Sequence, residues 1–285
     1  MASNLVQRLA VAVVAIPVVL AIVWAGGFPL VLLLAVAAVL GLRELYDFAD
    51  RQQIHPLKRT GYVSAALLPL IAYVAIGVLP EIVPDPLTLL AIWLLAVMVI
   101  GLASRTAGDR PLAAVAITVF GVLYAAGLPA FIIGIRHGGR GSFDWAGAWL
   151  VFVPMGIVWI GDTVAMFGGR WLKGPKLAPT VSPGKTWSGT VAGFLSALAS
   201  AWVLNALILS RFGIVLSWWR VLVFGALINI AGQVGDLTES LFKREVGVKD
   251  SSALIPGHGG VLDRLDALYF AVPVAAALYR WFGVT

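Results

Sequence analysis

Runs of about twenty apolar residues, the length needed to cross the hydrocarbon of a bilayer as a helix, recur from end to end of this chain. Short polar breaks separate them. A spanning backbone must satisfy its own N–H and C=O groups, which leaves it little choice but helix. The spacing predicts spans at about 5–25, 28–45, 61–79, 87–103, 112–135, 147–160, 190–209, 221–235 and 267–282. Gly26, Gly27 and Pro29 break the first from the second, and Gly127 with Pro129 is expected to kink the fifth. Composition agrees: 60% of residues are hydrophobic and 12% charged, with a mean hydropathy of +0.96. The expected fold is an all-α polytopic integral membrane protein with about nine transmembrane helices and a cytosol-facing polar cavity. The first run is longer than a signal-peptide core and is read as a retained span. The chain reads as one transmembrane domain over 1–285, with N-terminal spans in 1–146 and further spans with long polar loops in 147–285.

The formal charge of +6 does not point to nucleic acid, because the basic residues are dispersed among inter-span loops and no recognition motif accompanies them. Their distribution instead sets an orientation. With the N-terminus in the cytoplasm, 15 of the 20 Lys and Arg residues lie on the cytoplasmic side. Arg136, Arg140, Arg211, Arg220 and Arg280 lie outside. The positive-inside rule therefore predicts a multi-pass protein of the cell (inner) membrane whose polar loops at 161–189 and 236–266 face the cytosol. Trp145, Trp149, Trp202, Trp218 and Trp219 fall near span ends, as interfacial anchors do. The absence of cysteine excludes disulfides, thiolate catalysis and Cys-ligated zinc.

One stretch stands out against this apolar background. Between Asp236 and Asp266 lie ten charged residues: Asp236, Glu239, Lys243, Arg244, Glu245, Lys249, Asp250, Asp263, Arg264 and Asp266. Hydrocarbon tolerates such side chains poorly, so they must meet water or line a polar cavity in which they are paired or bind ions. Asp236, Glu239 and Ser240 can share a helix face. Asp263 and Asp266 open the last span, where they can simply offset its dipole. Alternatively Asp236 and Asp263, at facing span ends, share a divalent ion, since Mg²⁺ takes one or two carboxylates plus substrate phosphates. Lys243, Arg244 and Lys249 are either ordinary loop cations or phosphate contacts, and Arg264 either orients the flanking aspartates or grips a phosphate. Pro256-Gly257-His258-Gly259-Gly260 can form an anion-binding turn. His258 is a packing residue or a contact to phosphate or metal-bound water.

The loop at 161–185 carries Asp162, Ser182, Lys185 and Thr186. Its Gly184-Lys185-Thr186 is not a P-loop, because the first glycine of that motif would fall at Pro179 and no strand is expected before it. A helix starting after Ser182, with Lys185 near its N-terminus, remains a candidate phosphate site.

The residues Ser240-x-Phe242-Lys243-Arg244, Lys249-Asp250-x-Ser252 and Ile255-Pro256-x-His258-Gly259-Gly260-Val261-x-Asp263-Arg264-Leu265-Asp266 resemble the signature of the phosphatidate cytidylyltransferases, the CDP-diacylglycerol synthases. Gly161-Asp162-Thr163 and Ser182-Pro183-x-Lys185-Thr186-Trp187 resemble further blocks of that family. The resemblance is strongest over about 155–270. It implies a helical, homodimeric membrane enzyme that converts CTP and phosphatidic acid to CDP-diacylglycerol and pyrophosphate, using Mg²⁺ and admitting a second cation such as K⁺. By the same resemblance Asp236 and Asp263 are metal ligands, and Lys243, Arg244, His258 and Arg264 join them in the catalytic group. Lys185, Ser182, Thr186, Ser240, Lys249, Asp250, Gly259, Gly260, Asp266 and Asp162 are substrate contacts. The residues alone leave other readings open: an ion-coupled transporter, a CTP-dependent lipid kinase, or a membrane scaffold.

Overall fold

The computed structural model describes residues 2–78, 84–138 and 145–285, with side chains from residue 13 onward except at 77–78. The loop expected at 80–86 and the glycine-rich loop at 136–145 fall largely outside the described residues, including Pro80, Glu81 and Arg140, as does the side chain of Arg8. Among the described residues, seven helices are long and apolar enough to cross a membrane. The chain is an all-α membrane protein carrying a short β-hairpin. It divides into two compact units, residues 1–134 with 250–264 and residues 135–249 with 265–285.

The first unit is built from α1 (Ala2–Ala25), α2 (Gly27–Arg51), α3 (Lys58–Tyr73), α4 (Pro86–Ser104), α5 (Pro111–Val122) and most of α6 (Leu128–His137). Gly26 and Gly27 separate α1 from α2 with φ of 64° and 56°, a left-handed conformation that disfavours any side chain. Asp85 caps α4 by accepting from the amides of Leu87 and Thr88, each at 3.0 Å, and Pro86 opens the helix where no N–H is required. The break expected at Gly127 and Pro129 is a π-helical turn, Leu123–Gly127, which widens the ladder just before the proline. The core of this unit packs Ala38, Leu42 and Tyr46 of α2 against Ala65, Val122, Ala125 and Ala126. Tyr46 lies directly against Gly61, where any side chain would collide with it, and a Cβ on Gly121 would come within 2.6 Å of Leu42 Cδ1.

The second unit holds α7 (Trp145–Leu172), a hairpin of β1 (Lys176–Ala178) and β2 (Ser182–Thr186), α8 (Trp187–Leu207), α9 (Trp218–Glu245) and most of α10 (Leu262–Trp281). Small residues let α7 and α8 approach closely. A Cβ on Gly189 would come within 2.5 Å of the Ala165 carbonyl, and one on Gly193 within 2.8 Å of the Gly161 carbonyl. This is the packing that small residues four apart permit between membrane helices.

Three expectations are corrected. The polar segment at 161–185 is not one long loop, because α7 continues through Asp162 to Leu172. The helix expected to start after Ser182 does not start there but at Trp187, as α8. Residues 182–186 are instead the strand β2, paired antiparallel with β1 so that Lys176 faces Thr186 and Ala178 faces Ser182. A strand therefore does precede the Gly-Lys-Thr, although the glycine spacing still fails the P-loop pattern. The reason is local: Thr186 is the N-cap of α8, its hydroxyl accepting from Gly189 N at 3.2 Å, and this fixes the helix start four residues late. Finally, α9 does not stop at Gly235 but runs to Glu245, so Asp236, Glu239, Ser240, Lys243 and Arg244 stand on one helix.

Candidate functional site

In the first unit the loop after Lys249 is held by two carboxylates. Asp263, in the first turn of α10, accepts through Oδ2 from Ser251 N, Ser251 Oγ and Gly260 N, each at 2.8 Å. The second carboxylate is Glu44 of α2. It accepts from Ser251 Oγ at 2.8 Å, Ser252 Oγ at 2.7 Å, Val261 N at 3.0 Å and Leu262 N at 2.9 Å. Glu44 is 3% exposed and Asp263 8%. Burying a carboxylate is costly unless such donors replace its water. The single hydroxyl proton of Ser251 is shared between the two acids.

Between these anchor points the chain makes a tight turn. An isolated bridge pairs Ile255 with Gly259, and Gly257 and Gly259 have φ of 73° and 80°. Gly260 is buried, and a Cβ there would run into Ser251 Oγ and the Glu44 carboxylate. His258 is half-buried, with Nδ1 3.4 Å from the Pro256 carbonyl. Asp250 is exposed at the start of the loop. Arg264 is exposed too and, among the described residues, forms no ion pair.

The second unit gathers charges of both signs. Lys185, near the end of β2, pairs with Asp236 Oδ2 at 2.7 Å. Ser240 Oγ donates to Asp236 Oδ1 at 3.3 Å, so the shared helix face expected of Asp236, Glu239 and Ser240 is present. Lys243 is buried and pairs with the fully buried Glu239 at 3.1 Å. A Cβ on Gly235 would come within 2.5 Å of the Asp266 carbonyl, so α9 and α10 nearly touch beside Asp236. The charges of Asp236, Lys243 and Asp162 all act on Asp266, and those of Asp236 and Lys185 act on Asp162. Arg244 donates from Nε to the Val181 carbonyl at 3.1 Å and from Nη1 to the Val248 carbonyl at 2.9 Å. It thereby ties the end of α9 to the turn of the hairpin. Lys249 is exposed, Ser182 half-buried and Thr186 buried as the cap of α8.

Of the residues singled out from the sequence, Asp250, His258, Gly259, Gly260, Asp263 and Arg264 thus lie in the first unit. Asp162, Ser182, Lys185, Thr186, Asp236, Ser240, Lys243, Arg244, Lys249 and Asp266 lie in the second. Sequence reasoning missed Glu44 and Ser251. A signal for Glu44 was present: it stands three residues from Gly41 and four from Phe48, both buried on the same stripe of α2, whereas Arg43 and Asp47 face outward. An acid on an apolar stripe needs a partner.

The acidic side chains offer oxygen donors, which suit a hard cation such as Mg²⁺. Among the described residues no three His, Asp or Glu side chains converge into a metal cage. A cation here would complete its shell with phosphate oxygens or water, as Mg²⁺ commonly does.

Comparison with known proteins follows the same lines. The sequence profile of the cytidylyltransferase family matches residues 6–282. A phosphatidate cytidylyltransferase of Brucella abortus is 34% identical over 282 residues, covering 99% of this chain and 94% of that protein. The phosphatidate cytidylyltransferase of Haemophilus influenzae is 44% identical over 138 residues, covering 47% of this chain and 46% of that protein. That of Pseudomonas aeruginosa is 44% identical over 129 residues, covering 45% and 46%.

Proposed function

This chain belongs to the cytidylyltransferase family, and from that premise we propose that it is a phosphatidate cytidylyltransferase, a nucleotidyltransferase of phospholipid biosynthesis that converts CTP and phosphatidic acid to CDP-diacylglycerol and pyrophosphate. The observation that carries this reading is the likeness to a phosphatidate cytidylyltransferase along 99% of the chain. A multi-pass membrane protein suits a reaction in which one substrate keeps its acyl chains in lipid while its headgroup reacts.

In the reaction, a phosphate oxygen of phosphatidic acid attacks the α-phosphorus of CTP in line. The new P–O bond forms as the bond from the α-phosphorus to the bridging oxygen breaks, and pyrophosphate departs with that electron pair. The nucleophile is already an anion, so no strong general base is required, and catalysis rests on positioning and charge compensation. Lys185, Lys243, Arg244, Lys249 and Arg264 compensate phosphate charge. The Gly259–Gly260 turn and His258 border the phosphates, with Ser182, Thr186, Ser240, Asp250, Asp162 and Asp266 as further substrate contacts. Asp236 and Asp263 are the proposed ligands of Mg²⁺, with room in the scheme for a second cation such as K⁺. When bound, a divalent cation reduces the repulsion between the two polyanions and stabilises the departing pyrophosphate. The carboxylates of Asp162 and Asp266, whose charges interact with that of Asp236, support a cation at Asp236.

The orientation that leaves 15 of 20 basic residues on one side supports nine spans, a cytoplasmic N-terminus and a polar cavity open to the cytosol, where CTP is. The family resemblance supports a homodimer. The test is purified protein in detergent with phosphatidic acid, CTP labelled at the α or the γ position, and Mg²⁺ with or without EDTA. Label from the α position is expected in the lipid, and EDTA is expected to abolish its transfer. Transfer of the γ label instead would overturn the reading in favour of a lipid kinase. Activity unchanged in EDTA would overturn the metal assignment.

A further inference from the structure

Glu44 is distant in sequence from every residue of the signature, 207 positions from Ser251 and 218 from Leu262. Yet all four of the hydrogen bonds recorded for its carboxylate come from the loop that the signature encodes, two from serine hydroxyls at its start and two from main-chain amides at its end. We propose that Glu44 is a positioning residue for the cytidylyl-transfer reaction: it clamps both ends of the 251–262 loop and so sets Asp263 and the Gly259–Gly260 turn in place.

The geometry makes this more than a packing contact. Val261 N and Leu262 N stand at the start of α10, where the first amides have no partner within the helix. Glu44 supplies that partner from another element, and so fixes where α10 begins and how Asp263 leaves its first turn. Ser251 Oγ reaches Asp263 Oδ2 and Glu44 Oε2 at the same 2.8 Å, so moving one carboxylate moves the other. Gly260 lies against this junction so closely that no side chain fits. A group that must be held to within about half an ångström for catalysis needs such outer support.

The inference rests on the transferase reading above, and its test separates the two. Glu44→Gln keeps the size of the side chain but offers one oxygen in place of two, turning an NH₂ toward donors. The variant is expected to remain folded at the assay temperature. Its kcat for α-label transfer should fall about 10–100-fold, the usual effect of losing an outer-shell support. KM for CTP and for phosphatidic acid should change less than about threefold, because a positioning defect appears in the transition state rather than in ground-state binding. Ser252→Ala, which removes one donor and leaves Glu44 in place, should lower kcat less. Ser252 acts through Glu44, so the double variant should be no worse than Glu44→Gln alone.

Hydrogen exchange gives a readout independent of turnover. In Glu44→Gln the amides of Val261 and Leu262 should exchange about tenfold faster than in the parent protein, as expected when a local clamp is released. Wild-type kcat in Glu44→Gln, multiplicative effects in the double variant, or unchanged exchange at these amides would each overturn the clamp. If Glu44→Gln does not fold, Ser251→Ala and Ser252→Ala carry the same two measurements. A parent protein that transfers no α label would overturn the transferase reading, while the exchange result would still decide whether Glu44 holds the loop.

Discussion

The two units hold their acidic residues by opposite means. In the first, Glu44 and Asp263 are buried and satisfied by donors from one loop. The fold itself needs these carboxylates, since they accept from the main-chain amides of Ser251, Gly260, Val261 and Leu262. In the second, Asp236 and Asp266 are half-buried and Asp162 exposed. Like charges act on one another there, and Lys185 and Lys243 offset them. Repulsion among neighbouring carboxylates opposes folding unless cations offset it. The contrast separates residues that build a site from residues that work in it, and stability and activity should diverge accordingly.

The largest effect should come from Asp263, which belongs to both classes. Asp263→Ala is expected to abolish turnover, a loss of about 10³-fold or more, the scale of removing a preorganised electrostatic group. It should also lower the thermal midpoint, because the amides of Ser251 and Gly260 lose their acceptor and each buried orphan costs about 1–3 kcal/mol. The variant should still insert and purify. Full activity would remove Asp263 from the reaction, and an unchanged midpoint would deny its structural part.

Asp236→Asn breaks the comparison from the other side. Activity should fall by about 10²–10³-fold, yet the thermal midpoint should hold or rise, since the change relieves repulsion among three acids. Lys185 loses its partner in the exchange, but the pair is partly exposed (24% and 33%), and such pairs contribute only about 0–1 kcal/mol. Differential scanning fluorimetry beside the label-transfer assay decides it. A marked drop in midpoint would place Asp236 with the building residues.

How much of this was legible beforehand follows the same division. The spans were readable because lipid forces long apolar helices, and the charged residues of the second unit were readable because charge is conspicuous in an apolar chain. Glu44 does not stand out in the sequence, because its role depends on a partner 207 residues away. Only its place on the apolar stripe hinted at it. The hairpin was not legible either. Its strands are three and five residues long, show no period-two alternation, and include Pro183 and Gly184. What makes them strands is their pairing with each other and the capping of α8 by Thr186, which no local pattern announces.

One chemical change made in both regions sharpens the comparison further. Gly260→Ala adds a methyl group where it meets Ser251 Oγ and both Glu44 oxygens. The carboxylate cannot retreat without releasing Val261 and Leu262. Turnover should fall by about tenfold or more, within the range for displaced outer-shell groups. Exchange of those amides should quicken in parallel with Glu44→Gln.

Gly184→Ala should show the smallest effect, though it sits one residue from Lys185. The glycine lies in β2 at ordinary negative φ, and a Cβ there meets nothing within 4 Å. Alanine can take that backbone without strain, and it removes some freedom from the unfolded chain, a gain of about 0.4–1 kcal/mol where the conformation is compatible. The thermal midpoint should be unchanged or slightly higher, and kcat should stay within about twofold of the parent. KM for CTP is the informative number. If it rises severalfold, the surface above Gly184 is occupied when nucleotide binds, and the hairpin then covers the phosphates with its main chain as well as with Lys185. If it does not move, the hairpin contributes through the lysine alone, and an added methyl group is felt at Gly260 but not at Gly184.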